Sequence, residues 1–484
     1  FSDNIVKLNN ARKRLKFDEQ FFLQLLMAIR KKNIQLAGTK SLPDIGPYFR
    51  IIADALDFEL TDAQKRVIQE IHEDLKKKVA MNRLLQGDVG SGKTIVSILV
   101  SALAVGNNSQ VAIMAPTEIL AYQHYDSFKS SLDKASIPCA LLLGNMKKNE
   151  RQSVLKGLIT GKILVIIGTH ALIQNDVELN NLGLVIVDEQ HRFGVEQRLA
   201  LRDKGRSDNR APHQLVMTAT PIPRSLAMVM YADMDVSVID EMPPGRQPVE
   251  TVVMPNSKRQ AVQERIRECC AQGMRAYWVC PLIDESELLD LEAVTQRAES
   301  LRQDLPELKI ELLHGRNTPT EKDAVMNGFR SGQVDLLVAT TVIEVGVDVP
   351  EASVMVIENA ERLGLAQLHQ LRGRVGRGDQ KSVCVLMYQA PLGQRAKARL
   401  STMRETNDGF EIAQKDLELR GPGELLGTRQ SGLPQFRIAD LTRDDSLLQS
   451  VQDVATHLLE NGETKLIDRL VRRWLRTEDG FYSA

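Results

Sequence analysis

The segment Gly87-Asp88-Val89-Gly90-Ser91-Gly92-Lys93-Thr94 constrains this chain more than any other stretch. It reads glycine, four residues, then Gly-Lys-Thr, the pattern of a phosphate-binding loop set between a strand and a helix. Gly87, Gly90, Ser91 and Gly92 allow the backbone to curl so that several N–H groups point inward at phosphate oxygens. Arg83–Gln86 supplies a short preceding strand, and the helix from Ile95 onward adds its positive N-terminal end. Lys93 then reaches the outer phosphates of a nucleoside triphosphate, and the Thr94 hydroxyl ligates magnesium. A chance Gly-rich turn is the competing explanation, and the flanking strand and helix argue against it.

Such a loop belongs in an α/β domain, and the rest of the chain agrees. Val111–Ala115, Ile163–Ile167, Leu184–Val187 and Gln214–Met217 are short apolar runs separated by helical stretches. Ala276–Cys280, Ile310–Leu313, Leu336–Ala339, Val354–Ile357 and Val383–Met387 form a second series. Bounded apolar runs of about five residues between helices read as parallel strands covered on both faces. The series breaks at 240–248, where Met242-Pro243-Pro244-Gly245-Arg246 reads as a linker. The fold class is therefore α/β, with two tandem lobes built on parallel sheets. We expect a helical leading segment at 1–57, lobe 1 at 58–242, lobe 2 at 243–395, and a helical hairpin with C-terminal helices at 396–484. Within these, 11–37 shows helical spacing, Thr61-Asp62-Ala63-Gln64 is a capping box, 420–432 is Gly-rich, and 441–476 reads as a closing helix pair.

A chain of 484 residues with 43% hydrophobic content has room for two or three domains with real cores, and no apolar run reaches membrane-spanning length. The five cysteines lack metal-type spacing, so a reducing cytoplasm is the expected compartment. Net charge is −1, so no global basic excess announces a polyanion partner, although a local basic track would suffice. Phe1-Ser2-Asp3-Asn4 lacks an initiator Met, and we expect the chain to be a fragment of something longer.

Two carboxylates follow the buried run Leu184–Val187. Asp188 sits where an aspartate holds magnesium, and Glu189 is placed to polarise water for attack on a γ-phosphate. Acids favoured by a helix N-terminus would give the same pattern. The Gln64 amide, with one donor and one acceptor edge, suits adenine, but it also completes the capping box with Thr61.

Taken in order, Asp188-Glu189-Gln190-His191, Thr218-Ala219-Thr220-Pro221 and Gln367 through Arg377 resemble the motifs of helicase superfamily 2. Phe58 through Gln64 is similar to that superfamily's Q motif. The resemblance implies RecA-like lobes with ATP between them, adenine read by Gln64, and Arg374 and Arg377 crossing the cleft to the γ-phosphate. It also implies that Asp348, within Ala339–Pro350, contacts the ribose or the arginine pair. Thr117, Thr169 and Thr340, together with the His314 segment, would approach DNA phosphates from strand ends.

His191-Arg192-Phe193-Gly194-Val195 and the stretch from Asp408 to Gly432 resemble two families, the RecG branched-DNA helicases and the transcription-repair coupling factors. Ser91 and Gln190 favour RecG. That resemblance implies an ATP hydrolase that translocates on duplex DNA and remodels stalled forks and Holliday junctions in recombination and repair. It also implies magnesium as the metal, DNA contacts from Arg420, Arg429 and Gln430, a single-stranded DNA-binding protein as partner, and action as a monomer. RecG proteins carry an N-terminal wedge domain, and nothing in this sequence fits it.

Overall fold

Side chains that alternate along a strand become a continuous apolar run when both sheet faces are covered, and that is how both lobes are built. The computed structural model describes residues 2–36, 38–189, 201, 204, 210–223, 226–227, 231, 233–281, 287–340, 349–378, 380–420, 438–439, 445–462, 465–467 and 469–470. The chain enters through a long helix, α1 (Ser2–Leu36), then α2 (Gly46–Asp54) and α3 (Asp62–Leu75). Lobe 1 continues with β1 (Asn82–Gly87), α4 (Lys93–Gly106), β2 (Gln110–Met114), α5 (Glu118–Leu132), β3 (Cys139–Leu142), α6 (Lys148–Ile159), β4 (Val165–Gly168), β5 (Leu182–Asp188), β6 (His213–Thr218) and β7 (Asp235–Ile239). Its strands pair in parallel in the order β3-β4-β2-β5-β6-β1-β7. Val111, Ile113, Ile167 and Ile186 face one core, and Ala112, Met114, Ile166 and Val187 face the other.

Lobe 2 runs β8 (Glu250–Pro255), α7 (Arg259–Ala271), β9 (Arg275–Val279), α8 (Glu287–Asp304), β10 (Ile310–Leu313), α9 (Pro319–Arg330), β11 (Leu336–Ala339), β12 (Ala352–Ile357), α10 (Leu365–Arg372) and β13 (Val383–Tyr388). Its order is β10-β11-β9-β12-β13-β8, again parallel. Tyr277, Val279 and Leu337 point to one core, while Ala276, Trp278 and Leu336 point to the other.

Three strands escape the apolar-run reading: β3, β7 and β8. Among the described residues each is an edge strand bonded to a single neighbour, and each carries half-buried or exposed positions. An edge strand is covered on fewer sides, so its sequence need not be uniformly apolar. After β13 the chain forms a helical hairpin, α11 (Gln394–Glu405) and α12 (Gly409–Arg420), whose Leu400, Met403 and Ile412 join the lobe-2 core. At the other end, Leu42 and Ile52 of the leading segment lie in the lobe-1 core. The helix α13 (Asp445–Asn461) packs on α1 through Leu25, Leu26 and Ala455. Among the described residues, no helix is long and apolar enough to cross a membrane.

Candidate active site

The phosphate loop joins the C-terminal end of β1 to α4, as its sequence requires. Gly92, at the cap of α4, has φ +87°, and Gly90 has φ +81°. No side chain caps α4, so its first N–H groups are left for an anion. The Ser91 hydroxyl is buried and has no hydrogen-bond partner among the described residues. A buried unpaired hydroxyl costs about 1–3 kcal/mol, which a phosphate oxygen would offset. Lys93 Nζ donates to the carbonyls of Gly87 (2.7 Å) and Asp88 (2.8 Å). Burial lowers its pKa, opposed by Glu189, Asp188 and Asp88 and reinforced by the positive charge of Arg377.

Gln64 is buried, and both ends of its amide are engaged. Its Nε2 donates to the Ser91 carbonyl (2.9 Å), and its Oε1 accepts from the Thr61 N–H (3.0 Å). The Thr61 hydroxyl accepts from the Gln64 N–H in return (3.2 Å), closing the capping box read from the sequence. Gln64 thus braces the phosphate loop from the start of α3.

Asp188 ends β5, beside the strand that feeds Thr218, and Glu189 follows with φ +49°. A non-glycine residue held there stores about 1–3 kcal/mol of strain, a cost that clusters at functional sites. Asp188 Oδ1 accepts from the Glu189 N–H (3.0 Å), and Oδ2 lies 2.8 Å from His124 Nε2. Burial disfavours the Asp188 charge, but the His124 bond, with Lys93, holds the carboxyl below its usual range. An ionised carboxylate and the Thr94 hydroxyl are hard oxygen donors, so the residues present fit a magnesium ion. His124, on α5, had no sequence signal, since nothing in its spacing ties it to a carboxylate 64 residues away. The Thr218 and Thr220 hydroxyls bond each other (2.8 Å), and the Thr220 N–H donates to Thr218 Oγ1.

Lobe 2 closes on this site. A Cβ on Gly373 would lie 2.8 Å from the Val89 side chain of the phosphate loop, so Gly373 packs directly on Val89 where only glycine fits. Arg374 and Arg377 follow at once, and Arg377 Nε donates to the Gly373 carbonyl (3.1 Å). The turn that carries both arginines therefore sits beside the phosphate loop of lobe 1.

The expected nucleic-acid residues fall at strand ends away from the phosphate loop. Thr117 and Thr169 follow the neighbouring strands β2 and β4, and His314 and Thr340 follow the neighbouring β10 and β11. The hydroxyls of Thr169 and Thr340 and the Nδ1 of His314 are buried without a partner among the described residues. Thr117 Oγ1 accepts from the Leu120 N–H and caps α5. Arg420 pairs with Asp416 (2.9 Å) and lies against Gly364, where a Cβ would meet its guanidinium at 2.1 Å. Asp348, Arg429, Gln430 and the segment from Gln190 to Val195 lie outside the described residues.

Residues 61–229 match the DEAD/DEAH box helicase family and 257–379 the helicase conserved C-terminal domain. Residues 406–476 match the ATP-dependent DNA helicase RecG, domain 3, C-terminal family. The chain is 50% identical over 475 residues to the ATP-dependent DNA helicase RecG of Escherichia coli (strain K12), covering 98% of this chain and 68% of that protein. It belongs to the RecG family. The RecG of Pasteurella multocida is 54% identical over 88% of this chain and 61% of its own length. A solved structure of RecG bound to a three-way DNA junction superposes with a TM-score of 0.75 at 46% identity, covering 92% of this chain and 58% of that one. The chain thus spans about three fifths to two thirds of the RecG proteins it matches. The RecG-specific match takes in α12 and α13 and overlaps Asp408–Gly432, the stretch that resembles both RecG and the transcription-repair coupling factors.

Proposed function

We propose that this chain is the motor of a DNA-dependent ATPase that translocates on duplex DNA. In the whole protein it would remodel stalled forks and Holliday junctions. The observation that carries the reading is the meeting of lobes: Gly373, one residue before Arg374, abuts Val89 of the phosphate loop. A phosphoryl transfer site needs a cradle on one wall and mobile cations on the other.

In this reading ATP lies between the lobes. Lys93 and the amides of Gly87, Gly90, Ser91 and Gly92 hold its phosphates, and Gln64 orders the loop while the second N–H and second lone pair of its amide serve adenine. Asp348 serves the ribose or the arginines. Thr94 and Asp188 would hold magnesium, which supplies charge neutralisation at the phosphates when bound. Glu189 takes the proton of attacking water, and Arg374 with Arg377 neutralises charge developing on the γ-phosphoryl group. Loss of that group removes the anion between the lobes and lets them part. Strand-end Thr117, Thr169 and Thr340, with Arg420, Arg429 and Gln430 beyond lobe 2, track the DNA backbone. The unpartnered buried atoms of Thr169, Thr340 and His314 support that track.

Glu189→Gln should keep ATP binding and lose turnover by about 10²- to 10⁴-fold, the usual worth of a positioned base. Near-normal turnover in that variant would reject the role. Hydrolysis rates on single-stranded, duplex and forked DNA, with third-strand displacement from a triplex, test motion. A chain that hydrolyses ATP on duplex but leaves the third strand in place is a clamp and not a motor.

A further inference from the structure

None of the chemistry assigned to the phosphate loop uses the Asp88 carboxylate, yet it is buried and paired from three sides. Its Oδ1 accepts from the Val89 N–H (2.6 Å) and from His369 Nε2 (2.5 Å), and Oδ2 accepts from the Gly409 N–H (3.2 Å). His369 belongs to α10 of lobe 2, and Gly409 is the first residue of α12 in the hairpin. The other ring nitrogen, His369 Nδ1, lies 2.9 Å from Arg372 Nη2. A guanidinium can only donate, so Nδ1 is the acceptor and the ring's proton sits on Nε2, facing Asp88. Arg372 Nη1 then donates to the carbonyls of Met403 (2.9 Å) and Thr406 (2.8 Å), at the end of α11 and in the turn to α12. One hydrogen-bonded chain therefore runs from the phosphate loop through lobe 2 into both arms of the hairpin. Asp88, His369 and Arg372 are each less than a tenth exposed.

The close approach is built into the backbone. A Cβ on Gly409 would lie 2.7 Å from both Asp88 Oδ2 and His369 Nε2. From the inter-lobe linker, Arg246 donates to the Val89 carbonyl. A cavity of about 1240 Å³, lined in part by Asp88, Arg246, His369 and Phe410, adjoins the junction and leaves room for these contacts to shift.

We propose that Asp88 and His369 are positioning residues that pass the nucleotide state of the phosphate loop directly to the helical hairpin, by a route separate from Arg374 and Arg377. The inference rests on the ATP-driven reading given above. A loop that reshapes around phosphate must drag or release its own carboxylate. In a buried chain, a lost partner leaves an unpaired polar group, so the displacement is passed on and not absorbed. Coupling of this kind is reciprocal, and whatever holds the hairpin also changes nucleotide affinity.

Two substitutions separate the ends of the ring. His369→Gln places an amide N–H near the Nε2 position and keeps the Asp88 bond. His369→Asn places a carbonyl oxygen near Nδ1, keeps the Arg372 bond and drops Asp88. Hydrogen exchange at 406–412 is measured with and without the non-hydrolysable analogue AMP-PNP, alongside third-strand displacement per ATP hydrolysed. The analogue should alter exchange at Gly409 in the wild type and in His369→Gln, and not in His369→Asn. The asparagine variant should displace about tenfold less third strand per ATP, within the usual span of such couplings. Retention of both responses in His369→Asn, or equal losses in the two variants, would overturn the proposal, as would a wild-type hairpin that ignores AMP-PNP. A wild type whose exchange responds but which displaces nothing would remove the motor reading and leave this one standing.

Discussion

Gly92 shows how much a single residue can carry. Its φ of +87° suits glycine, and a Cβ there would lie 2.2 Å from Gln64 Nε2. The motif requires glycine at this place for the phosphate, but the structure adds a second reason, because the Gln64 amide must pass close by to reach the Ser91 carbonyl. Gly92→Ala should therefore unseat Gln64 as well as strain the loop. We expect ATP affinity to fall by roughly tenfold or more, from about 1 kcal/mol of backbone strain plus the displaced amide. Titration with a fluorescent ATP analogue checks this, and unchanged affinity would show that Gln64 does not brace the loop. The sequence made the loop and its glycines legible because they repeat a local pattern. It left the Gln64–Ser91 bond unread, since nothing at position 64 says which carbonyl its amide will meet.

At the scale of elements, the central strands were readable because both their faces are covered; of the four edge strands among the described residues β10 was readable from Ile310, Leu312 and Leu313, while β3, β7 and β8, partly buried, were not. Elements also carry buried polar ties that no periodicity reveals. His213, the first residue of β6, is fully buried; its Nδ1 accepts from the Met81 N–H (3.1 Å), so its Nε2 donates to the Lys40 carbonyl (2.9 Å). The ring thereby ties β6 to the residue before β1 and to the leading segment, and it does so only while neutral. Burial lowers its pKa below the ordinary value of 6.5. Protonation is then easier in the unfolded chain, so this contribution to stability is complete above pH 6.5 and is lost as pH falls through the lowered folded value. Thermal unfolding of lobe 1 should decline below that point more steeply in the wild type than in His213→Gln. Parallel acid limbs in the two proteins would mean that His213 is not the titrating group.

Over the whole molecule, the contacts that unite the parts join residues far apart in sequence, which is why motif reading gave two lobes and a tail but not their attachment. Asp88 meets His369 across 281 residues, and Glu19 meets Ile438 across 419. The second contact makes α1 a strap. Its Lys31 pairs with Asp235 of β7 in lobe 1 (2.7 Å), and its Leu25 and Leu26 pack on α13. Its buried Glu19 accepts from the N–H groups of Ile438 (3.0 Å) and Ala439 (2.8 Å), where the chain returns toward α13. The N-terminal helix thus holds the C-terminal one in place without entering either sheet. Glu19→Ala removes the acceptor for both amides, at a cost of about 1–3 kcal/mol for the donors left unpaired. Because neither lobe core contains Glu19, the loss should be local: protease cleavage and hydrogen exchange at 445–461 rise, while exchange in β1, β5 and β9 stays unchanged. Glu19→Gln, which keeps a carbonyl acceptor, should fall between the two. Equal loosening of both lobes in the alanine variant would instead make the strap part of the core, and α1 could not then be treated as a tie between lobe 1 and the C-terminal helix.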